Sequence, residues 1–298
     1  MSWQSPIQYV IPRAVASNVD GYELLANISI RTFDTYNSYI ILDFSNNEWF
    51  DVNLCASFGA LIDDLRRRNN KVNLIQIGTF AEDIFKKNGF HKFCNPGYQE
   101  EIIPVNVEFR RFDLSSTTLF QNYISAQLLG HDNFPKMSEL LKKKINKSIL
   151  ELYNNAHTHG KCQHIYTCGE YFEKNQILKF TIADMGVTIR KNVNDFFKSG
   201  SSLDGDKTIE WAVQKGNTTK SGDIPGGLGL SLIRAFIKLN EGAIQIISSN
   251  GLWEEKKGLT SSTNLKSRFL GTIITMEFNL SDTKLYILNS EVNSRNVL

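Results

Sequence analysis

Residues 135–156 constrain this chain most. The apolar residues Met137, Leu140, Leu141, Ile145, Ile149 and Leu152 recur at three- and four-residue intervals. That is the pattern of a long helix burying one face. Polar residues then continue the same spacing: Glu151, Asn155 and His159 lie four apart and stack on one face. Such a helix needs an apolar platform. Residues 164–171 and 177–183 read as two strands joined by a polar turn. Residues 193–221 are rich in Gly, Ser, Lys and Asp around one short helical piece. A helix over 228–239 follows, then strands over 243–249 and 271–278, a short strand at 285–288 and a loose tail.

The first third reads differently. Residues 39–44 (YIILDF) form a short apolar run of buried-strand type. Residues 54–65 carry apolar side chains at helical spacing, and Arg66, Arg67 and Arg68 suit a helix C-terminus, where cations meet the dipole. A strand over 72–77 and a short helix over 80–87, ended by Gly89, complete an alternation that implies a small α/β unit with parallel pairing. A strand over 105–112 and a helix over 117–129 open the next unit. At roughly 150 residues per domain, 298 residues make two units. The boundary falls near 105, giving units 1–104 and 105–298 and an α/β (α+β) class overall.

Composition removes several function classes. Apolar residues at 41% and charged residues at 21% exclude wholesale disorder. Lys and Arg number 33 against 31 Asp and Glu, and a net charge of +2 gives no argument for a nucleic-acid partner. Cys55, Cys94, Cys162 and Cys168 form no CxxC pair, so free thiols in a reducing compartment are expected. No signal peptide is visible, and no apolar run approaches the roughly 20 residues of a membrane helix. The expectation is a cytoplasmic protein without a membrane partner. His157, His159, Cys162 and His164 do not have the spacing of a zinc site.

Three segments carry chemistry. In the first, Glu151 is placed to polarise an attacking water or hydroxyl, and the amide oxygen of Asn155 is a hard ligand suited to Mg²⁺. The competing reading is a solvated helix face. In the second, Ile182-Ala183-Asp184-Met185-Gly186-Val187-Thr188, a carboxylate at a strand tip would accept from an exocyclic amine, and Gly186 would let backbone approach a flat base. The competing reading is a plain Asp-x-Gly turn. In the third, residues 225–232 (PGGLGLSL), Gly227 and Gly229 keep a helix start clear, where free N–H groups and the dipole favour phosphate. A Rossmann site is excluded, because these glycines follow a long polar segment and not an early strand.

In this order and with these gaps, the segments resemble the GHKL (Bergerat-fold) ATP-binding domain of histidine kinases, gyrase-type topoisomerases, heat-shock chaperones and mismatch-repair ATPases. Residues 151–160 resemble its N box, 184–188 its first glycine box, 225–230 the end of its second, and Gly271-Thr272 its terminal G-T signature. The resemblance covers about 106–280 and implies an α/β sandwich. It implies ATP and Mg²⁺ as cofactors, Glu151 as catalytic base and Asn155 as the Mg²⁺ ligand. His159 belongs to the N box, Asp184 would hold the adenine amine, and Gly186 would give the base room. Gly227, Leu228, Gly229 and Leu230 would lie at the phosphates, Thr272 at the adenine end, and 193–225 would form a lid. Thr188 stands where the family has a second glycine, and a β-branched residue disfavours positive φ.

Residues 39–90 resemble a STAS-type domain, through ILDFSNNEWFDVNLCASFGALIDDL, although Asp51-Val52-Asn53-Leu54 lacks the phosphorylatable serine of that family's turn. The pairing implies an ATP-binding regulatory protein with a protein partner, acting as a serine kinase of anti-sigma type or a slow ATPase switch. The competing expectation is a non-catalytic scaffold with a degenerate cleft, for which Thr188 is the best support.

Overall fold

The computed structural model describes residues 4–95, 97, 107–198, 202–219 and 228–294. The fold is mixed α/β, with one parallel and one antiparallel sheet as its main bodies. The N-terminal part runs β1 (Gln4–Val10), β2 (Ala14–Val15), α1 (Val19–Arg31), β3 (Ser38–Asp43), β4 (Trp49–Phe50), α2 (Cys55–Arg67), β5 (Lys71–Ile75), α3 (Thr79–Lys87) and α4 (Phe90–Cys94). Strands β1, β3 and β5 pair in parallel, in that order. The alternation read from the sequence is thus present, with β1 and α1 added ahead of it.

The second part runs β6 (Arg110–Asp113), α5 (Thr117–Tyr123) with a π-helical turn behind it, α6 (Glu139–Thr158), β7 (His164–Phe172), β8 (Ile177–Asp184), α7 (Ile189–Phe197), α8 (Gly205–Ala212), α9 (Leu228–Leu239), β9 (Ala243–Lys256), β10 (Leu259–Asn279) and α10 (Asn289–Ser294). Its five strands are antiparallel in the order β6-β7-β8-β10-β9. Several expectations change. Helix α6 begins at Glu139, because the Ser138 side chain caps the Leu141 N–H, and Leu140 faces solvent. Residues 193–221 hold parts of two helices, not one. The expected strand at 285–288 is a single bridge from Tyr286 to Met137. Among the described residues no helix is long and apolar enough to cross a membrane.

Alternation along the strands gives the antiparallel sheet two apolar faces. Leu178, Phe180, Ile182, Ile244, Ile246, Met276 and Phe278 share a core with α5, α6 and α9. On the other face, Tyr166, Cys168, Ala183, Ile247 and Ile273 share a core with α1 and α2 of the N-terminal part. The boundary expected near 105 lies outside the described residues, but packing runs across it: the Phe90 and Phe109 rings meet edge-on at 5.1 Å. Polar pins reinforce the contact. Asn53 Nδ2 donates to Thr181 Oγ1 at 3.0 Å, the Val52 N–H to Glu170 at 2.9 Å, and Tyr22 OH to Gln245 at 2.8 Å. The Asp51–Leu54 turn is therefore buried.

The β9–β10 hairpin is not flat. Strand β9 has 14 residues, yet the Lys257 N–H just beyond it donates to the Gly242 carbonyl just before it, at 3.1 Å. A straight strand would separate them by roughly 45 Å. The hairpin therefore curls back on itself, with its register broken between Asn264 and Thr272. Leu252, Leu265 and Phe269 pack inside the curl with Tyr22 and Leu25 of α1. Outside it, Gly251 sits so close to Gly205, at the start of α8, that a Cβ on either would strike the other's backbone.

Candidate functional site

The helix-covered face of the sheet ends in a cavity. Parity puts Asp184 on the same face as Phe180 and Ile182, and β8 pairs Asp184 with Thr272 of β10. Asp184 is 7% exposed. Its Oδ1 accepts the Gly186 N–H at 2.9 Å. Burial pushes its carboxyl from 3.8 up to about 7, with that one bond working in the opposite direction. Glycine is required beside it, for steric reasons. A Cβ on Gly271 would collide with the Asp184 carbonyl, and one on Gly186 with the Gly160 carbonyl, which accepts the Val187 N–H at 2.5 Å. Gly186 is thus held against the end of α6 and does not itself line the cavity.

Helix α6 buries Ile145, Ile149, Leu152 and Ala156 on the sheet. The face one step round the helix presents Glu151, Asn155 and His159, all half-buried, to the cavity. The side chains of Glu151 and Asn155 have no hydrogen-bond partner among the described residues. His159 Nδ1 lies 3.1 Å from Thr219 Oγ1, and Asn192 Nδ2 donates to the His159 carbonyl at 3.1 Å. Thr272 Oγ1 is 3.0 Å from Ser248 Oγ, which also receives the Ile189 N–H at 2.9 Å.

The cavity, about 170 Å³, thus brings together Glu151, Asn155, His159, Asp184, Thr272 and Leu230. Leu228 and Gly229 start α9, one turn of which reaches the cavity through Leu230. Gly227 lies outside the described residues. Sequence reading missed the opposite wall, made by Ile189 and Val193 of α7 and by Trp211 and Ala212 of α8. Trp211 packs on Phe196 and Phe197, with ring centroids 5.7 and 5.2 Å away. The apolar spacing of Ile209, Ala212 and Val213 was the signal available for α8.

Thr188 has an ordinary place. Its φ is −71° and its ψ 155°, and its hydroxyl caps α7 by accepting the Lys191 N–H at 3.2 Å. No positive φ is needed there, so this residue does not distort the cleft.

Chemically, the site offers a buried acceptor, apolar walls, and an unpartnered carboxylate and carboxamide near a helix start. No Lys or Arg lines it among the described residues. A polyanion there would need a metal ion and the backbone N–H groups of the helix start for charge compensation. In sequence, the chain matches no protein-family model and no curated protein.

Proposed function

We propose that the chain is a Mg²⁺-dependent ATP-binding protein of GHKL type, with a Bergerat-like second domain and a STAS-like first domain, working as a protein serine kinase or a slow ATPase switch. One observation carries the reading: Glu151, Asn155, Asp184 and Thr272, from three elements far apart in sequence, wall a single cavity beside the start of α9. In this reading the Asp184 carboxylate accepts the adenine amine, and the base lies between the strand face and Trp211. The α9 N-terminus receives phosphate oxygens. The unpartnered amide oxygen of Asn155, with the Glu151 carboxylate beside it, fits Mg²⁺, a cation of oxygen ligands. Bound there, Mg²⁺ would spread the charge developing on the γ-phosphoryl group.

Glu151 would take the proton from an attacking hydroxyl or water as the oxygen bonds to the γ-phosphorus. The bond to the β-phosphate oxygen breaks, and ADP leaves with its electron pair. A protein hydroxyl as acceptor makes the chain a kinase, and water makes it an ATPase. The Asp51–Leu54 turn, packed against β7 and β8, would report to the same sheet from behind.

Calorimetry and thermal melting of the full chain with Mg-ATP test the reading. A hundredfold excess over Kd stabilises by about 2.7 kcal/mol. No binding and no rise in melting temperature at millimolar Mg-ATP would leave a non-catalytic scaffold.

A further inference from the structure

The hairpin curl has one end that α1 does not fill. There, on the face of the sheet opposite the cavity described above, a second cavity of about 350 Å³ opens between the first residues of α1 and the inner faces of β9 and β10. One water needs only about 10–15 Å³ of such space, so there is room for a molecule of several heavy atoms. Inward positions of a strongly rolled hairpin are ordinarily filled by apolar side chains, as they are at the other end of this one. Here they carry Glu254 and Lys256 of β9 and Glu277 of β10, with Lys179 of β8 alongside.

Two of these charges are engaged. Lys179 Nζ lies 3.4 Å from Asp51, and Glu254 accepts the Gln245 amide at 3.0 Å. Lys256 and Glu277 have no side-chain partner among the described residues. The remaining wall mixes hydroxyl and amide groups, among them Ser17, Asn18 and residues 261–263, with the apolar Val19, Ala243 and Leu252. Sheet pairing accounts for one of these charges, since Glu277 stands directly across from Lys179, but it gives Lys256 no counter-charge of its own.

We propose that this mouth is a second ligand site, for a small zwitterion of the free amino-acid class. Glu277, with Glu254, would accept the ammonium group. Lys256 and the N-terminus of α1, where N–H groups and dipole favour an anion, would take the carboxylate. A phosphate ester would meet both carboxylates, and a diamine would meet both lysines. Only a ligand carrying both charges meets an opposite charge at each end. The site is independent of the nucleotide reading.

The test is a melting and calorimetric screen of the full chain with each proteinogenic L-amino acid at about 10 mM, or at saturation where less dissolves, with putrescine and inorganic phosphate as controls of a single charge sign. At least one amino acid should raise the melting temperature, bind equally with and without saturating Mg-ATP, and lose about tenfold or more in affinity in both Lys256→Met and Glu277→Gln. Lys256 is exposed, so its variant decides the matter if Glu277→Gln fails to fold. Three results would each overturn the proposal: no amino acid binds, both variants bind like the parent, or a control binds more tightly than every amino acid.

Discussion

Asp184→Asn should make the protein more stable and less able to bind adenine at the same time. Burial raises the Asp184 carboxyl from 3.8 to about 7. The folded state therefore holds this proton between about pH 4 and pH 7 while the unfolded chain has released it. Stability falls as pH climbs through that window and is level above it. Each pKa unit is worth about 1.36 kcal/mol, so above pH 7 the ionised group costs the empty protein at most about 4 kcal/mol.

Asparagine carries no charge and keeps an acceptor for the Gly186 N–H, so it removes that cost. At about pH 8 the variant should melt several degrees higher. Adenosine is the right probe of binding, because it has no phosphate to titrate. A charge-assisted hydrogen bond is worth about 1.5–3 kcal/mol, so the variant should bind adenosine about tenfold to a hundredfold more weakly. In the parent, affinity should rise about tenfold from pH 6 to pH 8 as the carboxylate form fills, and the variant should show no such slope. An Asp184→Asn protein that melts lower than the parent at pH 8, or binds adenosine equally well, refutes the reasoning.

Glu151→Ala should retain Mg-ATP affinity and lose about 10²–10⁴-fold in single-turnover hydrolysis or transfer; an unchanged rate removes Glu151 as the base. Thr188→Ala should cost about 1 kcal/mol in urea unfolding, the worth of a helix cap, and leave ATP affinity within twofold or so. A large loss of binding there would mean that Thr188 touches nucleotide. Gly251→Val should push α8 off the hairpin bend, lowering both stability and ATP affinity, since Trp211 of α8 walls the cavity. Unchanged affinity in a destabilised Gly251→Val protein would separate the two.

Period alone revealed the elements whose apolar face meets one flat partner. Helix α6, strands β7 and β8, and helix α9 all fall within a few residues of where spacing puts them. The acid–amide pair of Glu151 and Asn155 was visible for the same reason. What stayed hidden depended on contacts distant in sequence. Residues 259–264 (LTSSTN) look like a polar loop, and only pairing with β9 makes them strand. Helix α1 carries Tyr22, Leu25, Ala26 and Ser29 at helical spacing, but only the curl around it shows what buries that face. Thr188 misled because a missing glycine was read as lost backbone freedom, whereas the position needs a capping hydroxyl.

The N-terminal third of the molecule is fastened to the underside of the antiparallel sheet by a shared apolar layer, not hung from it by a tether. A truncation starting at 105 would uncover Tyr166, Cys168, Ala183, Ile247 and Ile273 together and strip the filling from the rolled hairpin. Such a fragment should clump with its own copies and not act as a free-standing engine. Any message the first hundred residues send must pass as pressure through interlocked side chains, because swinging away would dismantle the receiver.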